Sequence, residues 1–145
     1  MFKKILLPTD GSALSDKATA TAIQFAQLNQ AQLVAISVIH PFPFSPMADG
    51  GAVLDATTFE REMEQEARRN IAKVAAAAEA AGIAFEGVVT LSFSPYEEIV
   101  EAAKQHGCDI IMMASHGRKG LNRLFLGSET QKVLAHTTLP VMVLR

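Results

Sequence analysis

The chain has 145 residues, 49% of them hydrophobic and 19% charged, which fits one globular domain with a single substantial core. Its net charge of −2 carries neither the basic footprint of a nucleic-acid binder nor a polybasic membrane signal. The one cysteine, Cys108, rules out an internal disulfide and fits a reducing cytoplasm; opening an apolar run, it reads as a buried, inert thiol.

Residues 3–8 form the first expected strand, and Gly11-Ser12 breaks it. Lys3-Lys4 ahead of Ile5-Leu6-Leu7 has the outline of a leader. Pro8 and Asp10 end the apolar run too early for a signal peptide or a membrane span. Ser12 is the expected cap of a helix over residues 13–30, with Ala18, Ala22, Phe25, Ala26 and Leu28 on or near its inner face. The second strand, 33–39, is nearly continuous in apolar residues apart from Ser37. Residues 40–56 read as a long loop rich in Pro, Phe and Gly, whose Phe42 and Phe44 serve either as a lid or simply to tack the loop to the core. Thr57 with Glu60 has the spacing of a capping box and predicts a long charged helix to residue 81, stopped by Gly82. Its charges form a solvated face with pairs such as Glu64–Arg68.

Residues 83–91 give the third strand. Ser94-Pro95-Tyr96-Glu97 supplies an N-cap serine, a proline at the first helical position and a glutamate three residues after the cap, so a helix runs from there to Gly107. Residues 109–114 are the fourth strand, 128–136 the last helix and 141–144 the final strand, apolar and expected at the sheet edge. The order βαβαβαβαβ predicts an α/β fold: an open five-stranded parallel sheet with helices on both faces and right-handed crossovers. No repeat or linker divides it, so residues 1–145 form one expected domain.

In such a sheet ligands bind beyond the carboxyl ends of the strands, where strand order reverses. Three segments converge there: Pro8-Thr9-Asp10-Gly11-Ser12, Val38-Ile39-His40, and the loop from Ala114 to Ser128. That last loop is the most informative stretch. A buried strand runs into Ala114-Ser115-His116-Gly117, and after nine residues Gly127-Ser128 opens a helix. Glycines let backbone N–H groups approach a phosphate, and a helix start presents unpaired amides with partial positive charge. Arg118, Lys119 and Arg123 add charge, and no acidic residue stands between Ala114 and Ser128. The plainer alternative is an ordinary strand–loop–helix connection whose glycines serve turns. One acidic side chain, two backbone edges and an anion cradle suit a nucleotide better than a bare phosphate. His40 and His116 fall near the cleft, but no Cys or carboxylate at metal-ligand spacing joins them, so no protein metal site is expected. No Gly-x-Ser-x-Gly elbow, Walker lysine motif or Gly-x-Gly-x-x-Gly fingerprint stands in the expected place, and no catalytic residue is assigned.

These residues resemble the universal stress protein family, in its single-domain, nucleotide-binding type, over essentially the whole chain. The carriers are Lys-Lys-Ile-Leu-Leu-Pro-Thr-Asp-Gly-Ser at the start, Ser-Pro-Tyr-Glu-Glu-Ile, Cys-Asp-Ile-Ile-Met-Met, and the tail from Gly-Ser-Glu-Thr-Gln-Lys-Val-Leu to Leu-Pro-Val-Met-Val-Leu. The resemblance implies a Rossmann-like, adenine nucleotide alpha hydrolase-like fold and a cytoplasmic role in the stress response. Its implied ligand is ATP or another adenine nucleotide, with Mg²⁺ carried in by the nucleotide, and no enzymatic role beyond slow hydrolysis. Asp10 is implied near the ribose or metal–phosphate group, and the Val38 backbone on the adenine edge. Ser115, His116, Gly117, Arg118, Gly127, Ser128 and Glu129 are implied along the phosphates, mostly through backbone amides, with Pro8 and Ala114 completing the site. A homodimer through residues 140–145 is also implied.

The family signature runs Gly, two residues, Gly, nine residues, then Gly-Ser or Gly-Thr; here Ala114 stands in the first glycine's place. A methyl group there is harmless at negative φ and unfavourable at positive φ, and the end of a strand predicts tolerance. Two rival readings stand beside the nucleotide module. One is a non-nucleotide-binding dimeric interaction protein of the same fold, its site degenerate at Ala114. The other is an adenylating or pyrophosphate-releasing enzyme, hinted at by Asp10-Gly11-Ser12, for which 145 residues leave little room. A receiver domain needs an aspartate at the end of the third strand, where Leu91-Ser92-Phe93 stands instead.

Overall fold

Nine elements alternate along the chain in the computed structural model, which describes residues 1–42, 52–117 and 126–145. They are β1 (Lys4–Pro8), α1 (Ala13–Asn29), β2 (Gln32–Ile39), α2 (Ala52–Ala80), β3 (Phe85–Leu91), α3 (Pro95–Gln105), β4 (Ile110–Ala114), α4 (Ser128–His136) and β5 (Val141–Leu144). All five strands are parallel, in the order β3-β2-β1-β4-β5, with β5 at one edge as expected and β3 at the other.

Both faces of the sheet are covered, because successive strand residues point to opposite sides and both sets are apolar. Ile5, Leu7, Leu33, Ala35, Ile110 and Met112 pack against Ala18, Ala22 and Ala26 of α1 and Val74 and Ala78 of α2. The alternate residues Leu6, Val34, Ile36, Ile111 and Met113 pack against Ile99, Ala102 and Ala103 of α3 and Val133 of α4. Small residues on α1 at i, i+4 and i+8 bring that helix close to the sheet. Leu28 falls off this stripe and is 85% exposed, contrary to the expectation of an inner position. Phe25 is partly buried and packs on Phe2.

Two helix starts differ from their sequence signals. α2 begins at Ala52, five residues before the expected cap, so Thr57 lies inside the helix and Glu60 is not its capping partner. Ala52-Val53-Leu54-Asp55-Ala56 contains no breaker, and a good run of helix formers outweighs a Thr/Glu spacing that helix interiors tolerate. Glu60 instead accepts the N–H of Phe42 at 3.3 Å, and the Phe42 ring meets Phe59 edge-on, tacking residues 40–42 to α2. Phe44 lies outside the described residues. At α3, Ser94 is the N-cap residue but its hydroxyl makes no capping bond. Its ψ of 77° is far from the 160° at Ser12, where the hydroxyl does cap the Ser15 N–H at 3.2 Å. The Glu64–Arg68 pair forms at 2.7 Å. No helix among the described residues is long and apolar enough to cross a membrane.

Cys108 is buried, and burial pushes its thiol up to about 11, which leaves it protonated and unreactive. At the opposite end of the sheet from the strand tips, Glu86 of β3 bridges Lys4 at 3.0 Å and His106 at 2.8 Å. The Lys4 hydrogen bond first, then that of His106, hold the Glu86 carboxyl below its ordinary 4.5. A depressed folded value stabilises the fold above the unfolded value and loses that contribution as pH falls through the folded one. Glu86 is solvent-exposed, so the effect is small. Wild type is therefore expected to melt slightly above Glu86→Gln at pH 7, and the gap to close below pH 4.5, in thermal melts across that range.

Candidate functional site

Strand order reverses between β1 and β4. Their ladder contains two pairs, Ile5–Ile110 and Leu6–Ile111, after which the strands part towards their carboxyl ends. Each outer neighbour stays paired further, Pro8 with Ile36 and Ala114 with Leu144. The two central strands thus open a cleft between the loops that follow them, where an open α/β sheet binds its ligands.

The β1 loop is fixed from within. Thr9, buried, donates its N–H to Ile36 O at 2.9 Å and shares a hydrogen bond with Ser15 Oγ at 2.8 Å. Asp10 Oδ1 accepts the Ser12 N–H at 2.9 Å, closing a turn over Gly11, whose φ of +76° suits glycine. The Asp10 carboxylate lies over the Cα of Gly117: a Cβ on Gly117 would stand 2.8 Å from Asp10 Oδ2. An acidic side chain from one loop and a bare stretch of backbone from the other therefore meet across the cleft.

The β4 loop is stapled to the start of α4. Ser115 N–H continues the sheet to Leu144 O at 2.7 Å, and Ser115 O accepts the Gly127 N–H at 2.8 Å. Thr130 Oγ1, in the first turn of α4, donates to Ala114 O at 3.1 Å and lies 3.3 Å from Ser115 O. A Cβ on Gly127 would sit 3.1 Å from Ser115 O and 3.3 Å from His116 Cα, a tight fit that the backbone would have to yield to, so glycine favours the close approach. Ala114 closes β4 in extended geometry; Gln30 is the non-glycine residue with positive φ among those described. The backbone at position 114 thus makes no demand for glycine, as the strand end predicted. The ring of His116 folds onto Ser115, with Nδ1 2.9 Å from its Oγ, while Nε2 is buried with no hydrogen-bond partner among the described residues. An orphaned buried ring nitrogen costs about 1–3 kcal/mol, and such atoms concentrate at functional sites.

All four helices start at this end of the sheet, and the three whose first-turn side chains are described differ in what fills their N-termini. Ser12 caps α1. The first turn of α3 is filled from outside by Glu129, whose Oε2 accepts the Tyr96 N–H at 2.9 Å. Gly127 offers α4 no side chain, and Gln131 N–H to Gly127 O, at 3.1 Å, is its first turn-closing bond. The amides of Ser128, Glu129 and Thr130 are left facing outward with the positive end of the helix dipole. Glu129 would spoil an anion site if its charge lay in the cradle. Tyr96 N–H and Lys132 Nζ, at 3.3 Å, hold its carboxylate on α3 instead.

Val38 completes the cleft on the far side of β1. In a parallel ladder, alternate residues turn both backbone groups to the same neighbour. Ile36 O bonds Thr9 and Ile39 O bonds Ser92, so Val38 presents its N–H and C=O towards β1, beyond that strand's last pair. Among the described residues no backbone bond joins Val38 to the loop that follows β1. Pro8, the last residue of β1, lies next to this edge. Asp10, Ser115, His116, Gly117, Gly127 and Ser128 therefore come together, whereas Arg118, Lys119 and Arg123 lie outside the described residues. The Glu129 side chain turns away towards α3, so only its amide faces the cradle. His40 is exposed on the rim, its ring edge-on to Phe93.

Three residues carry parts that sequence reasoning did not assign: Thr130 as the staple, Glu129 as the cap of another helix, and Asn70 of α2. The Asn70 amide covers Gly11, where a Cβ would stand 2.5 Å from Asn70 Oδ1. Its signal is a polar residue on the stripe Ala67, Ile71, Val74, Ala78 that faces the core. The trans cap predicts a graded response. Glu129→Ala should cost about 1 kcal/mol in urea unfolding, as other lost helix caps do, and Glu129→Gln, which keeps an acceptor, clearly less.

The model of the universal stress protein family matches residues 1–145. A universal stress protein of Methanocaldococcus jannaschii is 34% identical over 145 residues, covering 100% of this chain and 83% of that protein. One of Thermus aquaticus is 33% identical, with both chains covered completely. The solved structure of a second M. jannaschii universal stress protein superposes with a TM-score of 0.77 at 30% identity, covering 99% of this chain and 96% of that one. A more distant universal stress protein, from Arabidopsis thaliana and solved with AMP bound, shares the fold at TM-score 0.69 and 14% identity, covering 98% and 90%. This α/β chain, with its cleft at the strand-order reversal, belongs to the universal stress protein family.

Proposed function

We propose that this chain is an adenine-nucleotide-binding regulatory module, taking ATP with its Mg²⁺ into the cleft between the β1 and β4 loops. The observation that carries this reading is the uncapped start of α4 beside Ser115–Gly117, while α1 is capped and α3 is plugged by Glu129. The phosphates lie on the amides of Gly117 and residues 128–130, where donors already point outward and need no reorganisation. The adenine edge pairs with the open Val38 backbone, and Asp10 takes the ribose or the metal-bound phosphate end. Adenine as the base is supported by relatives of the same fold solved with AMP, with cAMP and, from Archaeoglobus fulgidus, with dAMP.

In this reading the role is binding, not turnover. The protein acts in the cytoplasm, in the stress response, as a homodimer. Two copies pair along β5, an edge strand whose four apolar residues Val141–Leu144 are all only half-buried. A bound nucleotide ties the β1 turn to the β4–α4 staple, and so turns ligand concentration into stiffness of the whole carboxyl edge.

Calorimetric titration of the purified protein with ATP·Mg²⁺ tests the reading, with Gly127→Val as control. The valine side chain would wedge against Ser115 O and His116 Cα and force the cradle open. Micromolar binding that disappears in a folded Gly127→Val supports the module. No binding to the folded wild type contradicts it and leaves the ligand-free dimeric interaction protein.

A further inference from the structure

Asn70 stands one helix away from every residue that the sequence placed at the cleft, yet its amide is in contact with the Asp10 turn. An ideal Cβ on Gly11 would lie 2.5 Å from Asn70 Oδ1 and 2.7 Å from both Cγ and Nδ2. The oxygen is the nearest atom and Cγ is no closer than Nδ2, so the polar end of the carboxamide is turned obliquely towards Gly11. The amide carries two N–H donors and a carbonyl acceptor. None of them has a hydrogen-bond partner among the described residues, although Asn70 is half-buried. The placement is fixed from both sides. Ala67 and Val74, one turn away in each direction, are buried, and Lys73 pairs with Asp16 of α1 at 3.0 Å. Asn70 is thus an unused amide on a packed seam, against the turn whose carboxylate faces Gly117.

We propose that Asn70 is a specificity-determining residue that reads the sugar of the bound nucleotide, taking one of the two vicinal hydroxyls of a ribose while Asp10 takes the other. The inference rests on the nucleotide reading above. The chemistry selects the sugar over the other parts of the ligand. A neutral amide carries both donor and acceptor, which matches a hydroxyl, itself donor and acceptor; a phosphate would take only the donors. An ionised aspartate is an acceptor only, which a hydroxyl proton satisfies and a phosphate repels. Both groups belong to the same turn, Asn70 through its contact with Gly11 and Asp10 through the Ser12 N–H that its Oδ1 accepts. The anion is provided for elsewhere, at the start of α4. Removing a hydroxyl from the ligand leaves the half-buried amide unpaired, so the site discriminates against deoxy sugars.

The test is calorimetric titration of wild type, Asn70→Ala and Asn70→Leu with the Mg²⁺ complexes of ATP, 2′-deoxy-ATP and 3′-deoxy-ATP. Leucine keeps the packing on Gly11 but has no donor or acceptor, so it separates hydrogen bonding from mere support of the turn. Wild type is expected to bind ATP about tenfold more tightly than one of the deoxy nucleotides. Both variants should lose that preference, binding ATP as weakly as wild type binds the disfavoured deoxy nucleotide. Equal affinity of wild type for all three, or a preference that persists in either variant, overturns the sugar-reading role and leaves the nucleotide reading standing. Failure of the folded wild type to bind any of the three overturns both.

Discussion

The hydrogen bond from Gly127 N–H to Ser115 O is the constraint on which the carboxyl edge of the sheet depends. It brings the start of α4 onto the end of β4 so closely that a Cβ at position 127 would press on Ser115 O at 3.1 Å and His116 Cα at 3.3 Å. Thr130 makes a second connection to the same strand end, through its hydroxyl. The helix start is thereby held still with its amides outward, and that fixed orientation gives a weak partial charge its value to a ligand. A loose helix end would have to be ordered by whatever it bound, at a cost in entropy.

Glu129 explains how an acidic residue is tolerated in the first turn of such a helix. Its carboxylate fills the N-terminus of α3, which Ser94 leaves open because its backbone directs the hydroxyl elsewhere. One side chain therefore caps α3 and removes its own charge from the cradle. α3 and α4 are joined at their starts by this contact, so a change at one helix start is felt at the other. The Ala114 substitution in the family signature has a similarly local explanation. The position is the last pair of a strand, and the glycine that close packing favours is at 127, where the chain has one.

Much of this was legible in the sequence. The alternation of apolar runs and amphipathic helices gave the strand order its only sensible reading as a parallel sheet, and strand ends fell within a residue or two. Gly117 and Gly127-Ser128 pointed to the cradle because glycine in those places has a steric meaning. Cap signals were less reliable. Thr57–Glu60 and Ser94–Glu97 both have capping-box spacing, but spacing does not report backbone angle, nor whether good helix formers upstream extend the helix. Long-range contacts were invisible for a different reason: nothing near Tyr96 announces a glutamate 33 residues away, and nothing near Gly11 announces Asn70. The one trace was negative, an asparagine on a stripe otherwise made of small and branched apolar residues.

The central claim is that the open start of α4, and not the plugged start of α3 or the capped start of α1, receives the anionic end of the ligand. Backbone amide chemical shifts of ¹⁵N-labelled protein, followed while ATP·Mg²⁺ and then inorganic phosphate are added, test it directly. The account predicts that both titrations move the amides of Gly117 and residues 127–130, that ATP alone also moves Val38, and that the amides of Tyr96 and Glu97 move little. Shifts concentrated at residues 12–15 or 96–97, with those of 127–130 unmoved, would contradict it.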